Sequence, residues 1–96
     1  MKTLNDLEKL PDTCLIKFGA TWCAPCRAVK PVLEKVESST GVTIVDIDID
    51  ENSELAEQFG VRSVPTVFAI KNGQPVGMIV GAKGESVYNE LVEKLT

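Results

Sequence analysis

Two cysteines separated by two residues, Cys23 and Cys26, are the side chains in this sequence best suited to covalent chemistry. They fall in the stretch Thr21-Trp22-Cys23-Ala24-Pro25-Cys26-Arg27, which leads directly into an amphipathic helical pattern. That placement sets both sulfurs at a helix start, where unpaired backbone N–H groups and the positive end of the helix dipole favour an anion. The first thiol is made more acidic there, and the thiolate is the form that attacks a disulfide. Cys26 lies about one turn further in, less exposed and within reach of Cys23. Pro25 suits the first turn, because its fixed φ fits the helix and its missing N–H is not needed there. A nucleophile with a resolving partner is the arrangement of dithiol–disulfide exchange.

Other uses of these residues fit less well. A four-ligand zinc site needs two further Cys or His, and the chain has no His and only the distant Cys14. A disulfide closing so short a loop constrains little unfolded-chain entropy, which argues against a purely structural bridge. Asp46, Asp48 and Asp50 alternate ahead of Glu57 with the acidic spacing of a calcium loop, but Glu51 stands where the turn needs glycine. No metal site is expected. Cys14, Met78 and Tyr88 read as packing residues.

The 96 residues suit a single domain over 1–96 with one core. An apolar fraction of 44% with 25% charged residues is that of an ordinary globular protein. A formal net charge of −4 without any basic run argues against direct nucleic-acid binding. Three cysteines are too few for a secreted disulfide scaffold. Residues 1–8 lack the apolar core of a signal peptide, and no apolar run reaches membrane-spanning length. A reducing, cytoplasmic compartment is expected, the host cytoplasm if the source is a virus.

The elements that must hold the cysteine pair follow from periodicity. Lys2–Leu4 supplies a short edge strand, and Asn5 caps a short helix to about Leu10, stopped by Pro11 and Asp12. Cys14–Phe18 is a nearly continuous apolar run ending at Gly19-Ala20, the pattern of a strand buried on both faces, with Lys17 its one costly residue. Val29, Val32, Leu33 and Val36 mark the buried stripe of the helix that follows, with Pro31 expected to kink it and Ser38–Gly41 to end it. Val42–Ile49 is a second long strand, and the two strands with their helix read as a parallel βαβ unit with a right-handed crossover. Ser53 caps a helix over Glu54–Phe59 closed by Gly60. A strand over Val67–Ile70 turns at Asn72-Gly73 into an antiparallel Val76–Val80. Glu85–Leu95 forms the last helix, with Val87, Leu91, Val92 and Leu95 as its apolar stripe. The whole reads as a compact α/β sandwich.

Taken together, these residues resemble the thioredoxin family. The stretches that carry the resemblance are Phe18–Arg27, Pro31, Val61-Arg62-Ser63-Val64-Pro65-Thr66, Lys71-Asn72-Gly73 and Val80-Gly81-Ala82, spanning about Leu15 to the C-terminus. The resemblance implies a thioredoxin fold: a central mixed sheet of four to five strands between about four helices, in three layers. It implies a protein-disulfide reductase with Cys23 as nucleophile and Cys26 as resolving thiol. Pro65 would follow a cis peptide bond and leave the Val64 backbone free to bond an extended substrate. Trp22, Ala24, Pro25, Val64, Pro65, Gly81 and Ala82 would form the docking surface. No bound cofactor is implied beyond the redox-active disulfide itself. The implied partners are disulfide-containing proteins and an electron donor of the thioredoxin-reductase type, with the chain working as a monomer and without a membrane. Within the same superfamily stand a glutaredoxin-like protein and a net oxidant or isomerase, and outside catalysis an accessory subunit that uses only the apolar surface.

The sequence departs from the family at one telling place. Thioredoxins usually bury an aspartate where this chain has Lys17, and place a lysine on the neighbouring strand where this chain has Asp46. The pair is charge-reversed. Three outcomes are open: a charged Lys17 paired with Asp46, a neutral Lys17 amine acting as base, or Asp46 accepting a proton through water. A fourth is a Lys17 that snorkels to solvent and does nothing. The first is the working expectation, with an ammonium near the sulfurs making the protein more oxidising. Ala24 replaces the usual glycine between the cysteines, and Gly19 the usual larger residue, which predicts a looser layer behind the site.

Overall fold

The computed structural model describes residues 1–3 and 10–96. Its centre is β2 (Cys14–Gly19), six consecutive buried residues with the apolar run continuing on both faces. On one side β2 pairs in parallel with β3 (Ile44–Asp48), and β3 in turn pairs in parallel with the short β1 (Lys2–Thr3). On the other side it pairs antiparallel with β4 (Thr66–Lys71), which pairs antiparallel with the edge strand β5 (Gln74–Val80). The sheet order is therefore β1-β3-β2-β4-β5, a mixed five-stranded sheet.

Period-two alternation sends the side chains of β2 to two different layers. Cys14, Ile16 and Phe18 meet Val45, Ile47, Phe68 and Ile70 on the face that carries α2 (Ser53–Gln58). There Phe18, Phe59 and Phe68 pack together with ring centroids 5.1 to 5.7 Å apart, a spacing at which edge and tilted aromatic pairs attract. Leu15, Ile44, Val67 and Ala69 meet the other layer, formed by α1 (Ala24–Thr40) and α3 (Glu85–Glu93). Val29, Leu33 and Val36 supply the buried stripe of α1, and Tyr88 and Leu91 that of α3. These are the three layers expected.

Local chemistry explains the element boundaries. α1 continues through Pro31, which lacks the N–H that would bond the Arg27 carbonyl, and ends at Gly41, whose φ of 76° lets its N–H reach the Glu37 carbonyl at 3.0 Å. Asn72 and Gly73 have φ values of 52° and 77°, so the two-residue hairpin is of the primed kind that the Asn-Gly pair favours. Residue pairing across β4 and β5 shifts between Ala69 and Ile70, which accommodates Pro75 on an edge strand.

Several expectations change. The second strand begins at Ile44 instead of Val42, and the last helix ends at Glu93 instead of Leu95. Asn52, not Ser53, precedes α2, and it makes no side-chain cap bond; the helix is held at its far end, where Gly60 N–H and Val61 N–H bond the Glu57 and Ala56 carbonyls at 3.0 Å. Among the described residues there are three helices; the fourth, expected from Asn5 to about Leu10, falls on residues outside that range. Met78 does not pack: it is 57% exposed, because β5 is an edge strand and the described residues lay nothing over that face. Tyr88 does pack, fully buried under the sheet.

Candidate functional site

Cys23 is the N-cap of α1, with extended backbone torsions and Pro25 just inside the helix. The cap position exists because Ala20-Thr21-Trp22 turn sharply off β2, tied by the bond from Cys23 N–H to the Ala20 carbonyl at 3.2 Å. Cys23 Sγ accepts the Cys26 N–H at 3.2 Å, so the sulfur takes the role that a serine or aspartate oxygen plays at other helix starts. Cys23 and Cys26 are joined by a disulfide with Cα atoms 5.3 Å apart, within the normal span of such a bridge. Both cysteines are buried, Cys23 with 5% and Cys26 with 2% of its surface exposed. The Val64 carbonyl lies 3.7 Å from Cys23 Sγ, brought there by the loop ahead of β4. The Val64–Pro65 peptide bond is cis, as the resemblance implies.

A cleft of about 500 Å³ opens beside the disulfide. Of the residues read as a docking surface, Trp22, Ala24, Pro25 and Val64 line it together with Cys23. Pro65, Gly81 and Ala82 are not part of its lining, although the Gly81 N–H bonds the Pro65 carbonyl at 2.8 Å. The remaining wall, Ile49, Ala56, Val61, Arg62 and Ser63, comes from the end of β3, from α2 and from the loop after it. Val61, Arg62 and Ser63 lie in a stretch that carries the family resemblance without being read as docking surface, and nothing in the sequence marked Ile49 or Ala56 for a site. Arg62 puts a guanidinium at an otherwise mostly apolar cleft.

Two further residues were missed. Trp22, 65% exposed, donates its indole N–H to Asp50 at 3.0 Å, which fixes the ring over the cleft mouth. In the sequence Asp50 is marked only as part of an acidic alternation. Tyr88 was read as packing, but its hydroxyl also donates to the Gly81 carbonyl and accepts the Lys83 N–H, each at 3.1 Å. It therefore pins the loop after β5, in which Gly81 has a φ of +91°. Burial pushes the Tyr88 hydroxyl pKa up from its usual range, against a smaller opposing effect of the Lys83 bond.

Behind the cysteines, Lys17 Nζ lies 3.2 Å from Asp46 Oδ1. The two residues are register partners on adjacent parallel strands, so the sheet itself aligns them. Lys17 is 5% exposed and does not reach past the strand to water. The layer behind the site is not loose either: the volume left by Gly19 is taken up by the Lys17 side chain. Cys14 is fully buried, near the Pro11 carbonyl, and burial pushes its thiol pKa up from 9.0 to about 11. Among the described residues, no group of three or more His, Cys, Asp or Glu could hold a metal ion, and no helix is long and apolar enough to cross a membrane.

The Thioredoxin family model matches residues 4–94. The chain belongs to the thioredoxin family. A thioredoxin of Mycobacterium tuberculosis is 50% identical over 75% of this chain and 64% of its own length. A Mycobacterium leprae protein named bifunctional thioredoxin reductase/thioredoxin is 47% identical over 75% of this chain and 16% of its own length. Among solved structures, a mutant thioredoxin of Halobacterium salinarum superposes with a TM-score of 0.83 at 39% identity, covering 88% of this chain and 75% of that one. The chain thus spans 64% of the length of the mycobacterial thioredoxin it matches. The fold is the thioredoxin fold, with the expected mixed sheet between helices.

Proposed function

We propose that this chain is a thiol–disulfide oxidoreductase that reduces disulfides in other proteins by cycling Cys23 and Cys26 between dithiol and disulfide. In the reduced chain the Cys23 thiolate attacks one sulfur of a target disulfide. A mixed disulfide forms, and the target's other sulfur leaves as thiolate and takes a proton. Cys26 then loses its proton and attacks Cys23 Sγ, closing the Cys23–Cys26 bond and expelling the target's second sulfur. Two electrons have passed to the target. A reductase of the thioredoxin-reductase type returns them, a pairing supported by the relative whose name joins both activities in one protein.

The observation that carries this reading is the Cys23–Cys26 disulfide at the start of α1, with the Cys26 N–H directed at Cys23 Sγ. A backbone donor and a helix N-terminus aimed at one sulfur stabilise it as an anion, hence as attacking and leaving group. Trp22, Ala24, Pro25 and Val64, with Pro65, Gly81 and Ala82, serve as the surface on which an extended target segment lies. The chain acts as a single-domain monomer in a reducing, cytoplasmic compartment and needs no bound cofactor.

The test is turbidimetric reduction of insulin, with dithiothreitol or a regenerating thioredoxin reductase as electron source. The wild-type chain accelerates it and Cys23→Ser does not. Equal rates for the two proteins would refute the proposal.

A further inference from the structure

We propose that the Lys17 ammonium is an electrostatic positioning group for the redox pair: lodged behind Cys26 in the space left by Gly19, it favours the ionised form of the reduced dithiol and makes the Cys23–Cys26 disulfide the stronger oxidant for it. This deepens the thiol–disulfide reading and rests on it.

A lysine in the middle of a strand buried along its whole length is unfavourable unless something compensates the charge. Asp46 compensates it in part, at 3.2 Å, but its own side chain keeps about a quarter of its surface in water, where its field is partly screened. The other carboxylate in this part of β3, Asp48, is turned to the Asp50 N–H at 2.8 Å. On the β4 side the register partner of Lys17 is the apolar Val67. The cation therefore has one close counter-charge and a largely apolar setting.

Geometry then gives the charge a direction. A side-chain carbon placed on Gly19 would lie 3.1 Å from Lys17 Cε, 3.3 Å from Lys17 Nζ and 3.4 Å from Cys26 Cβ. The ammonium and the resolving cysteine thus crowd one small space, which a side chain at residue 19 would need. Cys26 is almost wholly buried, so a thiolate formed there has little solvent to stabilise it and feels a nearby charge strongly. The Cys23 sulfur, three residues away on the same turn, already holds the Cys26 N–H.

The redox consequence follows from the bookkeeping of the half-reaction. Reduction breaks the Cys23–Cys26 bond with two electrons from a donor dithiol, which is itself oxidised to a disulfide. The reduced pair takes up two protons, or one where a thiolate persists. A buried cation stabilises the thiolate, hence the reduced form, and leaves the neutral disulfide nearly unaffected. The disulfide is consequently easier to reduce and the protein more oxidising. A buried carboxylate in the same place would act in the opposite sense.

The experiment is equilibration with glutathione redox buffers at pH 7, reading the oxidised fraction by alkylation and mass spectrometry. For Lys17→Met, which keeps the apolar stem and removes the charge, the equilibrium constant for reduction should fall about tenfold, or roughly 30 mV toward more reducing. Lys17→Gln should move the same way, and provides the same reading if the Met variant folds poorly. Asp46→Asn leaves the cation without its counter-charge and should shift the equilibrium the other way. Opposite signs for the two sites are what an electrostatic effect requires and a packing effect does not produce. An unchanged or more oxidising Lys17→Met, or variants at the two positions moving together, would overturn the proposal. The potential is measured on the cysteine pair itself, so it is separable from catalysis: a wild-type chain that fails to reduce insulin refutes the functional reading and leaves this comparison intact.

Discussion

Replacing Tyr88 by phenylalanine separates docking from sulfur chemistry. The ring is fully buried between α3 and the sheet, and Phe preserves that burial. What is lost is the hydroxyl, with one bond to the Gly81 carbonyl and one from the Lys83 N–H, each 3.1 Å long. A neutral hydrogen bond contributes about 1 kcal/mol net, and the freed loop groups can turn to water since Gly81 is half-buried and Lys83 exposed. The expected loss of stability is about 1–2 kcal/mol, seen as a lower urea midpoint with an unchanged slope. The functional effect follows from the Gly81 N–H bond to the Pro65 carbonyl, at 2.8 Å, which links the same loop to the segment facing Cys23. If about 1 kcal/mol is then needed to order the loop against a target, KM for insulin rises roughly fivefold. Alkylation of reduced Cys23 by iodoacetamide should proceed at the wild-type rate, because the sulfur, its helix and the Cys26 N–H are untouched. An unchanged KM in a variant that is measurably destabilised would refute the role given to the loop, and a parallel fall in alkylation rate would refute the separation.

Two predictions concern the core. Cys14 has its thiol pKa raised to about 11 by burial, so the folded chain holds that proton where the unfolded chain releases it; stability from this group is intact below pH 9.0 and is lost as pH climbs through about 11. At pH 8 a maleimide should label Cys14 only after addition of urea, and labelling of Cys14 in the native, oxidised protein would contradict its burial. Gly77→Ala would set a carbon 2.7 Å from Leu91 Cδ1 and 2.9 Å from Lys94 Cδ, forcing the buried Leu91 and the Lys94 stem to move. The expected cost is about 1–3 kcal/mol in urea unfolding, and a neutral substitution would show that these two side chains re-pack freely.

The parts of this fold that were legible from sequence are those where one residue type has one physical use. The Asn72-Gly73 hairpin, the doubly buried β2 and the helix that starts at Cys23 all follow from local rules. The cleft lining was legible where its residues are contiguous, as in Trp22–Pro25, and unusual residues marked the cis bond before Pro65 and the Lys17–Asp46 pair. It was not legible where the chain is folded together from afar. Ile49 and Ala56 stand in the sequence only as parts of a strand and a short helix, and the fold brings them with Val61 to one cleft wall. Asp50 meets Trp22 across 28 residues of sequence, and Tyr88 reaches back to Gly81 from the next helix. Met78 shows the converse failure: it reads as a packing residue, but β5 is the sheet's edge and Met78 lies with Val76 and Val80 on an exposed face. The capping error at Ser53 arose because Asn52, another good cap residue, stands immediately before it.

The division of labour between the two sulfurs is tested most directly by covalent trapping. Reduced Cys26→Ser, incubated with a disulfide-containing target and examined by non-reducing mass spectrometry, should accumulate a one-to-one adduct through Cys23. Reduced wild type should show only released dithiol target, and Cys23→Ser no adduct at all. An adduct that forms equally in Cys23→Ser, or its failure to build up in Cys26→Ser while the target is still reduced, would contradict the account.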